Sequence, residues 1–289
     1  MTTSLVLLQQ ILNALTVGSI YAMIAIGLAM IYGVLRVLHI AHAGVYAAGA
    51  YLGLLLYVHT RSFALALAGA MVLTGILGGL IERFIYRPML GRPRIVALIA
   101  SIGLYICLSD LLRIVAGPHE KAFDVGITAR FRPAGLSISG IDLVILGGTA
   151  AIFALLWLFL QKTRMGFAIR AVAQDRETAR TMGIDADRAV QIVFFVGSAI
   201  AAFGGVMVGI LYNAVYPAMG DMVSYKGLAL IVIGGFGSLL GAAVAALALG
   251  VGETLITTYT QVPLSREGIA MLMLIILILV RPQGLLGRE

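Results

Sequence analysis

The fold class that the sequence predicts is an all-α polytopic membrane protein with about eight membrane helices. Of the 289 residues, 61% are hydrophobic and 11% are charged, whereas a soluble domain is about 45–50% apolar and about 25% charged. The apolar residues lie in runs long enough to cross a bilayer, and 35 glycines are typical of closely packed membrane helices. This composition excludes a soluble globular domain, a disordered chain and a coiled coil.

Four membrane helices are predicted in the first half of the chain, at residues 5–35, 41–58, 63–81 and 95–116. The first run is apolar for about 30 residues, which is too long for the apolar part of a signal peptide, so we expect a retained span. Asn13 and Gly18 interrupt this run and favour a tilt or a kink. A polar loop is predicted at residues 117–140.

Three further spans are predicted at residues 141–160, 189–211 and 268–280. The apolar segment 227–259 is too long for one straight span and short for two. It is predicted to be either a re-entrant pair of half-helices or two short spans, broken at the glycine cluster. Irregular backbone at membrane depth is tolerated where it is buried in protein or lines a cavity, so this segment is a candidate translocation path. The candidate residues are Gly234, Gly235, Gly237, Ser238 and Glu253.

Basic residues orient the predicted spans, because they collect in cytoplasmic loops. Most of the 20 Lys and Arg residues fall on one side, in loops 83–94 and 161–188, at Arg36 and in the tail. Lys226 and Arg266 are assigned to the opposite side. The N-terminus is then predicted outside and the C-terminus in the cytoplasm, and the net charge of +7 implies no nucleic-acid partner.

Motifs for cofactor chemistry are absent from the sequence. It contains no Walker A segment for nucleotide phosphates and no H-E-x-x-H zinc motif. His39 and His42 are predicted to be polar residues of a cytoplasmic turn, and Cys107, the only cysteine, to be a small buried hydrophobe. We therefore expect a chain that is not an enzyme and that binds neither a metal nor a cofactor.

Ionisable residues inside membrane spans are costly and are candidates for function. Asp110 lies three residues before Arg113, which predicts a mutual ion pair on one helix face. Glu82 is predicted to be an interfacial anchor at the end of the third span. Glu253 has no partner nearby in sequence, which leaves two positions open, the outer interface or a polar cavity.

The charged stretch 161–188 is predicted to contain a short helix at residues 176–182. Asp175 is a favourable N-cap, and Gly183 is placed as the residue that closes the helix. Ala179 and Met182 are its apolar positions. A helix of two turns is not stable alone, so it packs either on this chain as an ordinary connector or in a groove of a partner.

Several segments, in order from residue 18 to residue 287, carry a resemblance to a known family. They are Gly18-Ser19-Ile20-Tyr21-Ala22, Tyr32-Gly33-Val34-Leu35-Arg36, Ala41-His42-Ala43-Gly44, Glu82-Arg83, Tyr86-Arg87-Pro88, Gly234-Gly235-Phe236-Gly237-Ser238 and Arg281-Pro282-Gln283-Gly284-Leu285-Leu286-Gly287. With the charged stretch, they resemble the ABC-importer permeases of the branched-chain amino acid family, of the LivH type. The resemblance covers nearly the whole chain and implies a single transmembrane permease domain, residues 1–289.

The resemblance implies a function and a set of partners. The partners are a homologous permease of the LivM type, two cytoplasmic ABC ATPases, a periplasmic substrate-binding protein and the lipid of a bacterial inner membrane. The permease would move branched-chain amino acids to the cytoplasm with ATP hydrolysed by the partner chains. The ATPases would act on the charged stretch through Asp175, Arg176, Glu177, Ala179, Arg180, Met182 and Gly183.

Two alternatives remain open at the level of sequence. The same fold could serve a permease for urea, a sugar or another small solute. An ion-coupled secondary transporter would need ionisable groups within its spans, and the sequence offers Asp110 and Glu253 for that purpose.

Overall fold

The computed structural model describes residues 3–259, residues 265–280 and Gly284. These residues form eleven α-helices and one short antiparallel hairpin, in which β1 (Arg130–Phe131) pairs with β2 (Ile138–Ser139). The helices are α1 (Thr3–Leu35), α2 (His42–Thr60), α3 (Phe63–Ile81), α4 (Arg94–Ala116), α5 (Gly140–Lys162), α6 (Arg164–Gln174), α7 (Arg176–Thr181), α8 (Ala186–Leu211), α9 (Gly220–Gly234), α10 (Leu239–Tyr259) and α11 (Arg266–Val280).

The predicted all-α polytopic fold is confirmed, and seven of the described helices are long and apolar enough to cross a membrane. They are α1, α2, α3 with its extension to Met89, α4, α5, α8 and α10. Helices α9 and α11 have 15 residues each, which at 1.5 Å per residue gives a length of about 22 Å. The exact count of about eight membrane helices therefore stays a prediction, with seven full-length candidates and two shorter helices among the described residues.

Helix α1 lies at the centre of the bundle, where every residue from 18 to 31 is buried. It packs against α10 on one side and α8 on another, and a helix that is apolar all round is suited to such a position. Helices α4 and α5 lie at the periphery and expose large apolar side chains, such as Ile114 and Leu155. Cys107 on α4 is also exposed, so the prediction that it is buried is wrong for the chain alone.

Glycines allow a close helix approach between α2 and α8. A Cβ atom added to Gly49 would lie 2.5 Å from the Cα atom of Ala202, and one added to Gly53 would lie 2.5 Å from Val206. Gly205 of α8 is in turn pressed against the backbone of Tyr46. The G-x-x-x-G pair of α2 and Gly205 of α8 therefore serve this interface, as small residues do in membrane helix pairs.

The segment 227–259 resolves into two helices joined by a tight turn. Helix α9 already begins at Gly220, and α10 is a full-length helix. Gly235 and Gly237 occupy the left-handed region, with φ of 97° and 79°, which favours glycine at both positions. The Ser238 hydroxyl accepts a hydrogen bond from the Gly241 N–H at 3.0 Å and thereby caps the start of α10.

Candidate functional site

The charged stretch folds into two consecutive helices, α6 and α7, where the sequence predicted one. Thr163 caps α6 by accepting a hydrogen bond from the Gly166 N–H at 2.9 Å. Ile169 and Val172 of α6 are buried, whereas Phe167 is 61% exposed, so α6 is amphipathic. The sequence signal for α6 is this spacing of apolar residues after a threonine that can act as an N-cap. The helix was not predicted because the stretch was interpreted mainly from its charged residues.

Helix α7 has both of its predicted ends. The Asp175 carboxylate accepts hydrogen bonds from the N–H groups of Glu177 and Thr178, at 2.9 and 3.0 Å. The bonds from the Thr178 N–H and hydroxyl hold the pKa of Asp175 below its usual range, so the cap is ionised at neutral pH. At the other end Gly183 has φ of 82°, and the Ile184 N–H reaches the Ala179 carbonyl at 3.0 Å, as in a Schellman cap.

Two arginines attach α7 to the start of α8. Arg176 and Arg180 both donate to one carboxylate oxygen of Asp187, at 2.6 and 2.5 Å. A second loop joins the same cluster, because Arg87 donates to the Asp187 carbonyl at 3.4 Å. These contacts connect α7 and the loop of Arg87 to α8, which packs against α1, α2 and α3.

The predicted apolar positions of α7 face opposite ways. Ala179 is 4% exposed and packs against its own chain, whereas Met182 is 78% exposed. The connector interpretation thus applies to Ala179, whereas the large apolar side chains that α6 and the end of α7 expose are Phe167 and Met182, with Glu177 also exposed. We call these three residues the docking surface.

The glycine turn between α9 and α10 lies next to this two-helix element. Gly237 is close to Gly33 near the end of α1, and the rings of Tyr32 and Phe236 are 4.9 Å apart. A cavity of about 440 Å³ separates the turn from α6, with Ile169 among its lining residues. Gly284 also packs on Gly235. The other residues of the C-terminal motif, Arg281 among them, lie outside the described residues, and so does Arg288.

The structure does not bring Glu253 to the glycine turn. Glu253 lies fourteen positions after Leu239 on α10, which corresponds to about 21 Å along the helix. The two parts of the predicted translocation path therefore lie at different depths of the bundle.

Glu253 belongs instead to a buried triad with Tyr21 and Lys226. The Lys226 ammonium lies 2.8 and 3.0 Å from the two Glu253 carboxylate oxygens and donates to the Tyr21 hydroxyl at 2.6 Å. The Tyr21 hydroxyl donates to Glu253 at 2.9 Å. The side chains of Lys226 and Glu253 are 2% and 1% exposed, so Lys226, which the charge pattern assigns to the side opposite the basic loops, lies inside the helix bundle on α9.

The remaining polar predictions have mixed outcomes. The ion pair of Asp110 and Arg113 is confirmed, with an N–O distance of 3.1 Å. Glu82, predicted to be an interfacial anchor, has a fully buried side chain that pairs with Arg87 at 3.1 Å. Its segment, Glu82–Tyr86, is a π-helical extension of α3.

The two histidines of the predicted cytoplasmic turn are 1% exposed, so the turn is buried rather than solvated. The His39 Nδ1 atom lies 2.6 Å from the Tyr86 hydroxyl, and the His39 ring also contacts Phe194. Among the described residues, no group of three or more His, Cys, Asp and Glu side chains is placed to hold a metal ion.

Comparison with known proteins decides the family. The family model described as "Branched-chain amino acid transport system / permease component" matches residues 10–280. This chain belongs to that family. The permease is therefore a membrane subunit of an ABC transporter, as the sequence motifs predicted.

Curated relatives of the permease match over nearly its whole length. It is 34% identical to the high-affinity branched-chain amino acid transport system permease protein LivH of Escherichia coli, covering 97% of this chain and 96% of that protein. Pseudomonas aeruginosa BraD, which carries the same description, is 33% identical over 97% of this chain and 96% of its own. Escherichia coli LivM is 25% identical and matches over 68% of its own length.

Two solved structures share the fold of the permease. PsaBC from Streptococcus pneumoniae in complex with Fab superposes with a TM-score of 0.53 at 15% identity, covering 94% of this chain and 91% of that one. An inward-facing conformation of a putative metal-chelate type ABC transporter gives a TM-score of 0.52 at 15% identity, covering 94% and 85%. At this identity they support the arrangement of helices alone.

Proposed function

We propose that this permease carries branched-chain amino acids into the cytoplasm as part of an ABC importer. The observation that carries the proposal is the match to LivH and BraD, whose described transport system is the one for branched-chain amino acids. The match extends over 97% of the chain, which supports the proposal that residues 1–289 form one permease domain. ATP hydrolysis then belongs to other subunits, in keeping with the absence of a Walker A motif.

The docking surface is the proposed contact with a cytoplasmic ATPase. An exposed methionine and an exposed phenylalanine on two capped helices offer the apolar anchors that a groove on a partner would take up. When two ATPases close on ATP, the force reaches α7, and the ion pairs of Arg176 and Arg180 with Asp187 pass it to α8. Helix α8 packs on α1, α2 and α3, so its motion repositions the bundle.

The other proposed partners follow from the periphery and from the charge distribution. Helices α4 and α5 expose apolar side chains that suit lipid or a second permease of the LivM type. A periplasmic binding protein would deliver the solute on the opposite face. The excess of basic residues on one side supports an N-terminus outside and a C-terminus in the cytoplasm.

Ion-coupled transport is less well supported by the same residues. Glu253 is paired with Lys226 and Asp110 with Arg113, so both carboxylates that could carry a coupling ion already have a cationic partner. A carboxylate in such a pair is a poor site for a second cation.

A panel of solutes tests the identity of the cargo. The complete transporter, reconstituted in liposomes with ATP inside and its binding protein outside, is expected to take up leucine, isoleucine and valine. Because an aliphatic side chain distinguishes these solutes, urea and ribose should leave the leucine signal unchanged when added in excess. Strong competition by urea or ribose would instead assign the permease to a different solute.

A further inference from the structure

A cavity of about 130 Å³ lies beside the buried triad, within this single chain. Its walls come from the middle of α1, from Tyr46 of α2, from the end of α8 and from α9. Tyr212 is 57% exposed and Arg266 is also exposed, so these two side chains stand at its mouth. The cavity is thus open at one end and closed at the other by buried side chains.

The inner walls are aliphatic and branched. Val17, Ile20 and Ile24 of α1, Val208 of α8 and Val223 of α9 all line the space. Since one buried water needs roughly 10–15 Å³ of such a cavity, the space holds on the order of ten water-sized groups. A free leucine molecule, with about nine non-hydrogen atoms, is of that size.

The charges around the cavity favour an anionic group at the mouth. Among the described residues that line it, Lys226 and Arg266 are cationic and none is acidic. Lys226 already contacts Glu253, which stands behind it and outside the lining. Arg266 is therefore the cation that a ligand carboxylate would meet first, in the bidentate geometry that guanidinium groups allow.

Tyrosines complete the polar part of the lining. Tyr21, Tyr46, Tyr212 and Tyr216 all border the space. The Tyr21 hydroxyl is already bonded to Lys226 and Glu253. The exposed Tyr212 at the mouth, in contrast, can bind a carboxylate or an ammonium group through its hydroxyl and attract a cation through its ring face. A zwitterion with an aliphatic side chain offers charged groups to the polar lining and an apolar group to the branched walls. Urea and sugars would leave the branched walls without an apolar partner.

We propose that this cavity binds one aliphatic L-α-amino acid, with the side chain among the valines and isoleucines and the carboxylate towards Arg266. The inference rests on the proposed function, because it takes the transported solute as the ligand. It goes beyond that function by placing a solute site inside one permease chain. A lipid acyl chain and water alone are the competing occupants.

Direct binding of L-leucine to the purified membrane complex, with no binding protein added, tests the proposal. The Val208→Phe variant fills the cavity and is expected to weaken leucine binding at least about tenfold, as a steric mismatch in an apolar pocket does. Val72→Phe is the matched control, because Val72 is 51% exposed on the surface of α3. Its leucine affinity should equal that of the wild type.

A cavity-enlarging variant covers the case in which Val208→Phe does not assemble. Ile20→Ala removes a wall of the cavity and is expected to let phenylalanine compete with leucine several-fold better than it does in the wild type. The proposal is overturned if the wild type binds no leucine, or if neither variant changes leucine affinity or the competition profile.

Uptake measured in parallel separates this inference from the proposed function. One outcome is a complex that imports leucine with ATP and the binding protein, yet shows no leucine binding of its own. That result would support the proposed function and contradict the internal site. A complex that imports no branched-chain amino acid at all loses the proposed function, and the site with it.

Discussion

Replacing Lys226 with methionine is expected to lower the melting temperature of the permease strongly and to reduce the amount of folded protein in the membrane. The change leaves the Glu253 carboxylate, which is 1% exposed, without its cation. Breaking one partner of a buried ion pair costs about 3–5 kcal/mol, a large part of the roughly 5–15 kcal/mol that stabilises a typical protein. The amount of protein extracted in detergent and its melting temperature measure the effect.

Two further variants control this result. The double variant Lys226→Met with Glu253→Leu should recover much of the stability, because apolar replacement of both partners of a buried pair is often neutral. Lys121→Met removes an exposed lysine and should leave the melting temperature unchanged. A Lys226→Met protein as stable as the wild type would show that the triad contributes little to folding.

Replacing Met182 with glutamate is expected to lower ATP-driven uptake at least about tenfold while the permease remains folded. Met182 is 78% exposed, so the folded chain loses little, whereas an apolar groove on an ATPase would have to bury a carboxylate. A buried anchor of an interface contributes about 2 kcal/mol or more, which corresponds to a factor of more than ten. Uptake and ATP hydrolysis by the reconstituted transporter are the measurements.

Met182→Leu is the matched control, because it keeps an apolar side chain of similar volume and should retain uptake. Full uptake by Met182→Glu would show that Met182 does not contact the ATPase.

Ala179→Glu is expected to behave differently from both Met182 variants. Ala179 is 4% exposed, so a glutamate there displaces α7 from its own chain and lowers stability together with uptake.

Local signals in the sequence were sufficient for most of the fold. Long apolar runs located the membrane helices, and the ends of α7 were predictable because Asp175 and Gly183 act on their immediate neighbours. Helix α6 carried a signal of the same local kind, which its charges concealed. Such features depend on a few adjacent residues and need no knowledge of the tertiary structure.

The buried triad could not be predicted in the same way. Lys226 and Glu253 are 27 residues apart and lie on different helices, while Tyr21 comes from the far end of the chain. A lysine at the edge of an apolar run resembles an interfacial residue, and only the packing of α9 and α10 on α1 shows its partner. The burial of Ala179 and the neighbours of the glycine turn likewise depend on long-range contacts.

The energy source of uptake is the most direct test of the claim that this chain is the permease of an ABC importer. The complex purified from its native membrane and reconstituted in liposomes should contain an ATPase. It should import leucine when ATP and the binding protein are supplied, and an imposed ion gradient alone should give no uptake. Leucine uptake driven by an ion gradient alone, with no ATPase in the purified complex, would contradict the claim.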